Sequence, residues 1–297
     1  MDDPVFYIVD VFAIEKYTGN QLAVFRNGSS YTDGEMLEIA KEMNYSETTF
    51  IISDEPREGG YDVRIFTPAE EVPFAGHPTL GTAFIIQREI VSEPVATLSL
   101  NLTVGRIPVT FSDEDGIHET LWMQQNPPQF GESFAPEEFA RALSLEPEDL
   151  DASAPIQEVS TGLPFIIVPV KTLEAIRRAR VQREAFFSLV ERCEAKAPLL
   201  FCPETYSSEN DLNVRVFVDY YNIPEDPATG SANGCLAGYL IRNRFFGTNR
   251  INVRVEQGYE IGRPSLLLLD AESREDGISV RVGGKVIMVA EGRLSRE

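Results

Sequence analysis

Apolar positions along this chain fall into short runs of two kinds. β-branched and apolar runs of four to eight residues, several bounded by Gly, Asn or Asp, predict strands at 5–12, 22–25, 48–52, 61–66, 97–102, 105–111 and 117–123. Between them lies Thr32-Asp33-Gly34-Glu35, a hydroxyl followed three residues later by Glu. That capping box opens a helix carrying Met36, Ile39, Ala40 and Met43 on one face. A second helix, mainly apolar, is expected at 76–87. Asn126-Pro127-Pro128 breaks the pattern and reads as a linker. Beyond it, strands are expected at 165–170, 199–202, 213–218, 251–255, 265–269, 278–282 and 286–290, with helices at 173–179, 184–193 and 230–242.

One segment occurs twice. RIFTPAEEVPFAGHPTLGTAFII runs from Arg64 to Ile86, and RVFVDYYNIPEDPATGSANGCLAGYLI from Arg215 to Ile241. Each copy is a strand, a polar loop with Pro, a Gly turn and an apolar helix. Arg64-Ile65-Phe66 matches Arg215-Val216-Phe217, and Gly76-His77 matches Gly230-Ser231. The expected fold is therefore α+β, with two related halves, each a curled mixed sheet around its repeat helix. The first half takes 1–124 plus a returning 280–297, and the second takes 125–279. A Gly turn that opens a helix presents backbone N–H groups without intrahelical acceptors, which suits an anion. Two such turns facing each other would frame a pocket for a small acidic molecule.

Composition narrows the partners. At 297 residues the chain exceeds one ordinary core, and 43% hydrophobic with 25% charged residues fits a globular protein. The net charge of −21 disfavours nucleic acid and anionic membranes. An anionic substrate must therefore be held by local dipoles and a few Arg. The N-terminal apolar run is too short and too charged for a signal peptide or a membrane span. The cysteines, Cys193, Cys202 and Cys235, have no metal spacing and are odd in number. A reducing cytoplasm is the expected home. No metal cluster and no G-x-G-x-x-G loop is visible, so no cofactor is expected.

Few residues are equipped for chemistry. Of the two histidines, His118 lies among Asp113, Glu114, Asp115 and Glu119 and reads as a solvated strand residue. His77 follows Gly76 and precedes Pro78 at the repeat helix start. It is either a simple cap, with Pro78 near the first helical position, or an imidazole kept neutral by the helix dipole. In the second copy Ser231 matches His77, and Asp226 is held extended by Pro227. Glu47 stands between a helix end and an apolar strand, with no basic residue in the five positions on either side. It is either a solvent-facing strand start or a desolvated carboxylate poised for proton transfer.

Over nearly its whole length the chain resembles the PhzF-like isomerases of phenazine biosynthesis, which have the diaminopimelate epimerase fold. The resemblance is carried by VDVF and GNQLAVF near the start, NYSETTFI, FTPAEEVPFAGHPTLG, STGLPF, DPATGSANG and VGGKVIMVAEGRL. It implies two pseudo-symmetric domains with the site in the cleft between them. It implies that Glu47 moves a proton on the substrate while His77 and Asp226 assist. Asn20, Gly76, Gly230 and Ser231 would contact the substrate, and Ser46 and Thr229 complete the expected binding set. It also implies a homodimer acting on a small, anionic, amino-acid-like molecule; the family's characterised member isomerises a dihydro-hydroxyanthranilate. The epimerases of this fold are similar in carrying Cys before each repeat glycine, where this chain has Ala75 and Thr229. A two-thiol racemisation is thereby removed. Other expectations considered are an epimerase using other bases, a binding protein without catalysis, and a hydrolase built on Ser231, His77 and Asp226. The last lacks the G-x-S-x-G elbow.

Overall fold

The computed structural model describes residues 5–112, 120–221 and 223–295; His118 lies outside them. The chain divides into two compact units, Met1–Gln124 with Gly283–Glu297, and Gln125–Val282.

The first unit contains β1 (Val5–Val11), β2 (Asn20–Phe25), α1 (Asp33–Met43), β3 (Thr48–Ile51), β4 (Tyr61–Phe66), β5 (Glu71–Val72), α2 (Gly76–Ile85), β6 (Thr97–Leu102), β7 (Gly105–Ser112) and β8 (Thr120–Gln124). The second contains β9 (Gln129–Phe134), α3 (Pro136–Ala142), β10 (Ile156–Ser160), β11 (Pro164–Pro169), α4 (Leu173–Arg178), α5 (Arg183–Val190), β12 (Pro198–Cys202), β13 (Leu212–Val218), β14 (Ile223–Asp226), α6 (Gly230–Arg242), β15 (Arg250–Gln257) and β16 (Ser265–Arg274). A long last strand, β17 (Gly277–Arg293), joins the second unit to the first along the chain.

In the first unit the strand pairings close a ring. β1 lies antiparallel to β2, β2 parallel to β3, and β3 antiparallel to β4. Then β4 lies parallel to β6, β6 antiparallel to β7, and β7 antiparallel to β8. β8 pairs with β17, and Val286–Arg293 of β17 lies antiparallel to β1. The second unit repeats the series. β9, β10 and β11 are successively antiparallel, β11 is parallel to β12, β12 antiparallel to β13, β13 parallel to β15, and β15 antiparallel to β16. The short strands β5 and β14 occupy the same place in the two series, each antiparallel to the strand before it and each leading to a repeat helix. The fold is α+β and pseudo-symmetric.

The repeat helices have no polar face, and burial explains why. Every residue of α2 is buried, and in α6 every residue from Gly230 to Ile241. A helix apolar all round is stable only when surrounded. α2 packs on β1, β2, β3, β6, β7 and β8, and α6 on β10, β11, β15 and β16. The fit is close. A Cβ at Gly81 would come within 2.6 Å of Leu22 Cδ2, and one at Gly238 within 2.6 Å of Pro128 Cβ. Along β2, Leu22 meets α2, while Ala23 and Phe25 join Met36 and Ala40 of α1. Both faces of the strand are covered, so its apolar run is continuous rather than alternating. Phe50 anchors β3 in this outer cluster, with ring centroids 5.2 Å from Phe25 and 5.6 Å from Phe66. The second unit has its own outer layer of α3, α4 and α5, where Phe139, Ile176 and Phe186 pack on Ile166, Val168 and Leu200.

Several elements depart from the sequence expectation. The helix expected over 76–87 is α-helical only to Ile85 and continues as a π-helical segment, Ile86–Val91. The strands expected at 278–282 and 286–290 are one, because Gly283 and Gly284 remain extended within β17. At Gly283 a Cβ would lie 2.5 Å from the Trp122 ring. The segment 129–160 holds β9, α3 and β10, which the expectation left out. The capping box is present as expected: Thr32 Oγ1 accepts the Glu35 N–H, and the Glu35 carboxylate accepts the Thr32 N–H.

Candidate active site

Three of the expected residues meet in the first unit. Gly19 (φ +73°) turns the chain into β2, at a place where any Cβ would lie 2.4 Å from the Val11 carbonyl oxygen. Asn20 follows, buried at the start of β2. α1 ends at Asn44 in the left-handed conformation, and the chain then passes through Ser46 and Glu47, both half-buried, into the fully buried start of β3. His77 is the second residue of α2, whose N-cap is Ala75. The imidazole is therefore not a helix cap, and Pro78 is the third helical residue rather than the first. Pro remains compatible there because N–H groups of the first turn have no intrahelical acceptor.

The Asn20 side-chain nitrogen lies 3.3 Å from His77 Nδ1, and Glu47 Oε2 lies 3.5 Å from His77 Nε2. Which of the two ring nitrogens carries the proton of the neutral imidazole depends on the tautomer. Burial strips water from the ring and pushes its pKa down to about 3, with a backbone contact at Gln21 opposing the shift. His77 is thus a neutral imidazole at ordinary pH. With its two nitrogens set against Asn20 and Glu47, it is not arranged to activate a serine.

In the second unit Asp226 ends β14, and Thr229 is the N-cap of α6. Thr229 does not cap. Its hydroxyl donates to Asp226 Oδ2 at 2.5 Å, while Gln257 accepts its backbone N–H at 3.2 Å. Ser231 is the second residue of α6, the position His77 holds in α2, and it is almost as buried. Gly76 and Gly230 are the matching first residues, both buried. The helix starts share a further property. α1, α3, α4 and α5 carry acidic residues in their first turns, whereas α2 and α6 carry none. In so acidic a chain, the first turns of these two helices are kept free of acids of their own.

The copies also share an arginine clamp that inspection of the sequence missed. Arg64 holds both oxygens of Glu71 on β5, and Arg215 both oxygens of Glu225 on β14. Each guanidinium lies over the aromatic ring two residues on, 5.1 Å from the Phe66 centroid and 4.7 Å from that of Phe217. The signal was available, since both repeats begin with Arg, a β-branched residue and Phe. Gln257, which gathers the Asp226–Thr229 turn, stands in no motif and gave no signal. Among the described residues no group of three His, Cys, Asp or Glu could hold a metal, and no helix is long and apolar enough to cross a membrane.

The closed strand ring about a buried helix, and the repetition of its strand series, define an epimerase-like fold. The profile of the phenazine biosynthesis-like protein family matches residues 9–292. The chain is 33% identical to the trans-2,3-dihydro-3-hydroxyanthranilate isomerase of Pseudomonas aeruginosa, over 97% of this chain and 98% of that one. A PhzF-family protein of Bacillus anthracis superposes with a TM-score of 0.91 at 28% identity, covering 99% of this chain and all of the other. A protein of Pseudomonas aeruginosa described as a predicted epimerase superposes with a TM-score of 0.81 at 31% identity, covering both chains entirely. The chain belongs to the phenazine biosynthesis-like family and is an isomerase of that family.

Proposed function

We propose that this isomerase moves a proton between carbons of a small carboxylate-bearing metabolite, cyclic and amino-acid-like, with Glu47 as general acid and base and no cofactor. The observation that carries this reading is the pair itself. Glu47 sits 3.5 Å from an imidazole that burial keeps neutral. In the tautomer with its proton on Nε2 the ring can donate to the carboxylate, or to a substrate oxygen, without adding a positive charge beside it. A carboxylate so placed can take a proton from one carbon and return it to another. His77 assists by orienting Glu47 and the substrate. Asp226 holds a polar or cationic substrate group, aided by Thr229 and Ser231, while Asn20 and Ser46 line the approach.

The carboxylate requirement rests on charge. The two helix starts at Gly76 and Gly230 are the α-helices without first-turn acids, and backbone N–H groups there suit an anion. Ala75 and Thr229, where epimerases of this fold carry thiols, support transfer by one carboxylate over two-face racemisation. The isomerase relative named for trans-2,3-dihydro-3-hydroxyanthranilate supplies the first compound to try. Incubation with it in deuterium oxide, read by NMR, tests the proposal. Deuterium at a single migrating position with a new ring isomer supports it. Inversion at one carbon without migration would favour an epimerase.

A further inference from the structure

We propose that Gln257 is a positioning residue that holds the Thr229 hydroxyl against the Asp226 carboxylate. Gln257 ends β15 and is fully buried. Its amide is saturated. Nε2 donates to the Asp226 carbonyl at 2.8 Å and to Thr229 Oγ1 at 3.0 Å. Oε1 accepts the Thr229 N–H at 3.2 Å and Asn233 Nδ2 at 2.9 Å. Two donors and two acceptors are all that a carboxamide offers. Reversing the amide would set an oxygen against the Asp226 carbonyl and an NH₂ against two donors, so its orientation is determined by its partners.

That orientation holds the Thr229 hydroxyl in place. Oγ1 accepts from Gln257 and gives its own hydrogen to Asp226 Oδ2, since an ionised carboxylate can only accept. The result is a one-way chain from amide to hydroxyl to carboxylate. It explains why an N-cap threonine leaves its helix uncapped, against the usual preference. The turn is clamped beside it as well. Gly258 (φ +78°) brings the backbone so close that a Cβ would lie 2.6 Å from the Pro227 carbonyl oxygen. A hydroxyl donated to an ionised carboxylate favours the ionised form and fixes its rotamer.

The inference rests on the proposed part of Asp226 in substrate binding, but its test does not. The side-chain carboxyl ¹³C resonance of Asp226, assigned with Asp226→Asn, is titrated in the full-length protein. Thr229→Val should raise the midpoint by about one pH unit, the scale of a hydrogen bond to a charged group, and Thr229→Ser should restore it. Gln257→Met should raise it similarly, and the double variant no further. Arg215, Glu225, Glu256 and Arg263, the charged groups on neighbouring strands and the following loop, are retained in every variant and cancel in the comparison. Should Gln257→Met not fold, Gln257→Glu serves instead, with and without Thr229→Val, so that its added charge cancels. An unchanged midpoint in the Gln257 variant, or shifts that simply add, would overturn the inference. Solvent exchange by Asp226→Asn is a separate arm: wild-type rates there would remove Asp226 from the reaction and leave the titration result standing.

Discussion

His77 presents Nε2 to the Glu47 carboxylate at 3.5 Å, while Asn20 contacts the opposite nitrogen at 3.3 Å. The imidazole is thereby fixed from both sides, in a place without water to stabilise its charge. Stability, and in the proposed mechanism function, then depend on the same ring.

The first consequence is a pH dependence of folding. The folded pKa of His77, about 3, lies below the unfolded value near 6.5. Between these values the unfolded chain binds the proton and the folded one does not. Stability attributable to this residue is therefore complete above about pH 6.5 and is lost as the pH falls towards 3. The slope is at most about 1.4 kcal/mol per pH unit, that of one proton. Urea melts at stepped pH should show this slope in wild type and lose it in His77→Gln. An identical pH profile in the variant would contradict the buried neutral ring.

The two arginine clamps should differ in strength although their geometry is shared. Arg215 and Glu225 are 4% and 5% exposed at their side chains, against 27% and 35% for Arg64 and Glu71. Removing one partner of a buried pair strands the other charge and typically costs about 3–5 kcal/mol. An exposed pair is worth about 0–1 kcal/mol. Arg215→Met should thus destabilise the protein several-fold more than Arg64→Met in denaturant melts. Equal losses would show that the second clamp is not isolated from water.

Thiol chemistry should have no part in turnover. Cys193, Cys202 and Cys235 are buried, and desolvation pushes the Cys202 and Cys235 thiols up to about 12. Such thiols are poor nucleophiles. Native protein treated with iodoacetamide at pH 7.5 should keep its mass and its exchange activity. Rapid alkylation with loss of activity would restore a cysteine route.

Much of this fold was legible in the sequence because its repeat is. A strand, a Gly turn and an all-apolar helix occurring twice leave few arrangements other than a surrounded helix, and α2 and α6 are surrounded. The segment 129–160 was not legible. Its strand β9 is mostly exposed and reads QFGESF, and α3 spans barely two turns, so neither carries a clear period. The π-helical turn after Ile85 is hidden for another reason, since Ile86–Val91 has ordinary helical vocabulary. Within the candidate site, His77 stood out by rarity and Glu47 by its isolation from cations. Gln257 could not be found, because it acts through contacts across 28 and 31 positions of sequence.

The central claim is that Glu47 carries the migrating proton. Glu47→Gln keeps the size of the side chain and can still meet the His77 ring, but it cannot accept a proton. The decisive measurement is deuterium uptake from solvent into trans-2,3-dihydro-3-hydroxyanthranilate, or into a ligand retained from cell extract, by mass spectrometry with wild type and Glu47→Gln side by side. The account predicts that the variant folds, binds the compound and exchanges about a hundredfold or more slowly. Exchange at the wild-type rate would contradict it and pass the role of base to His77 or Asp226.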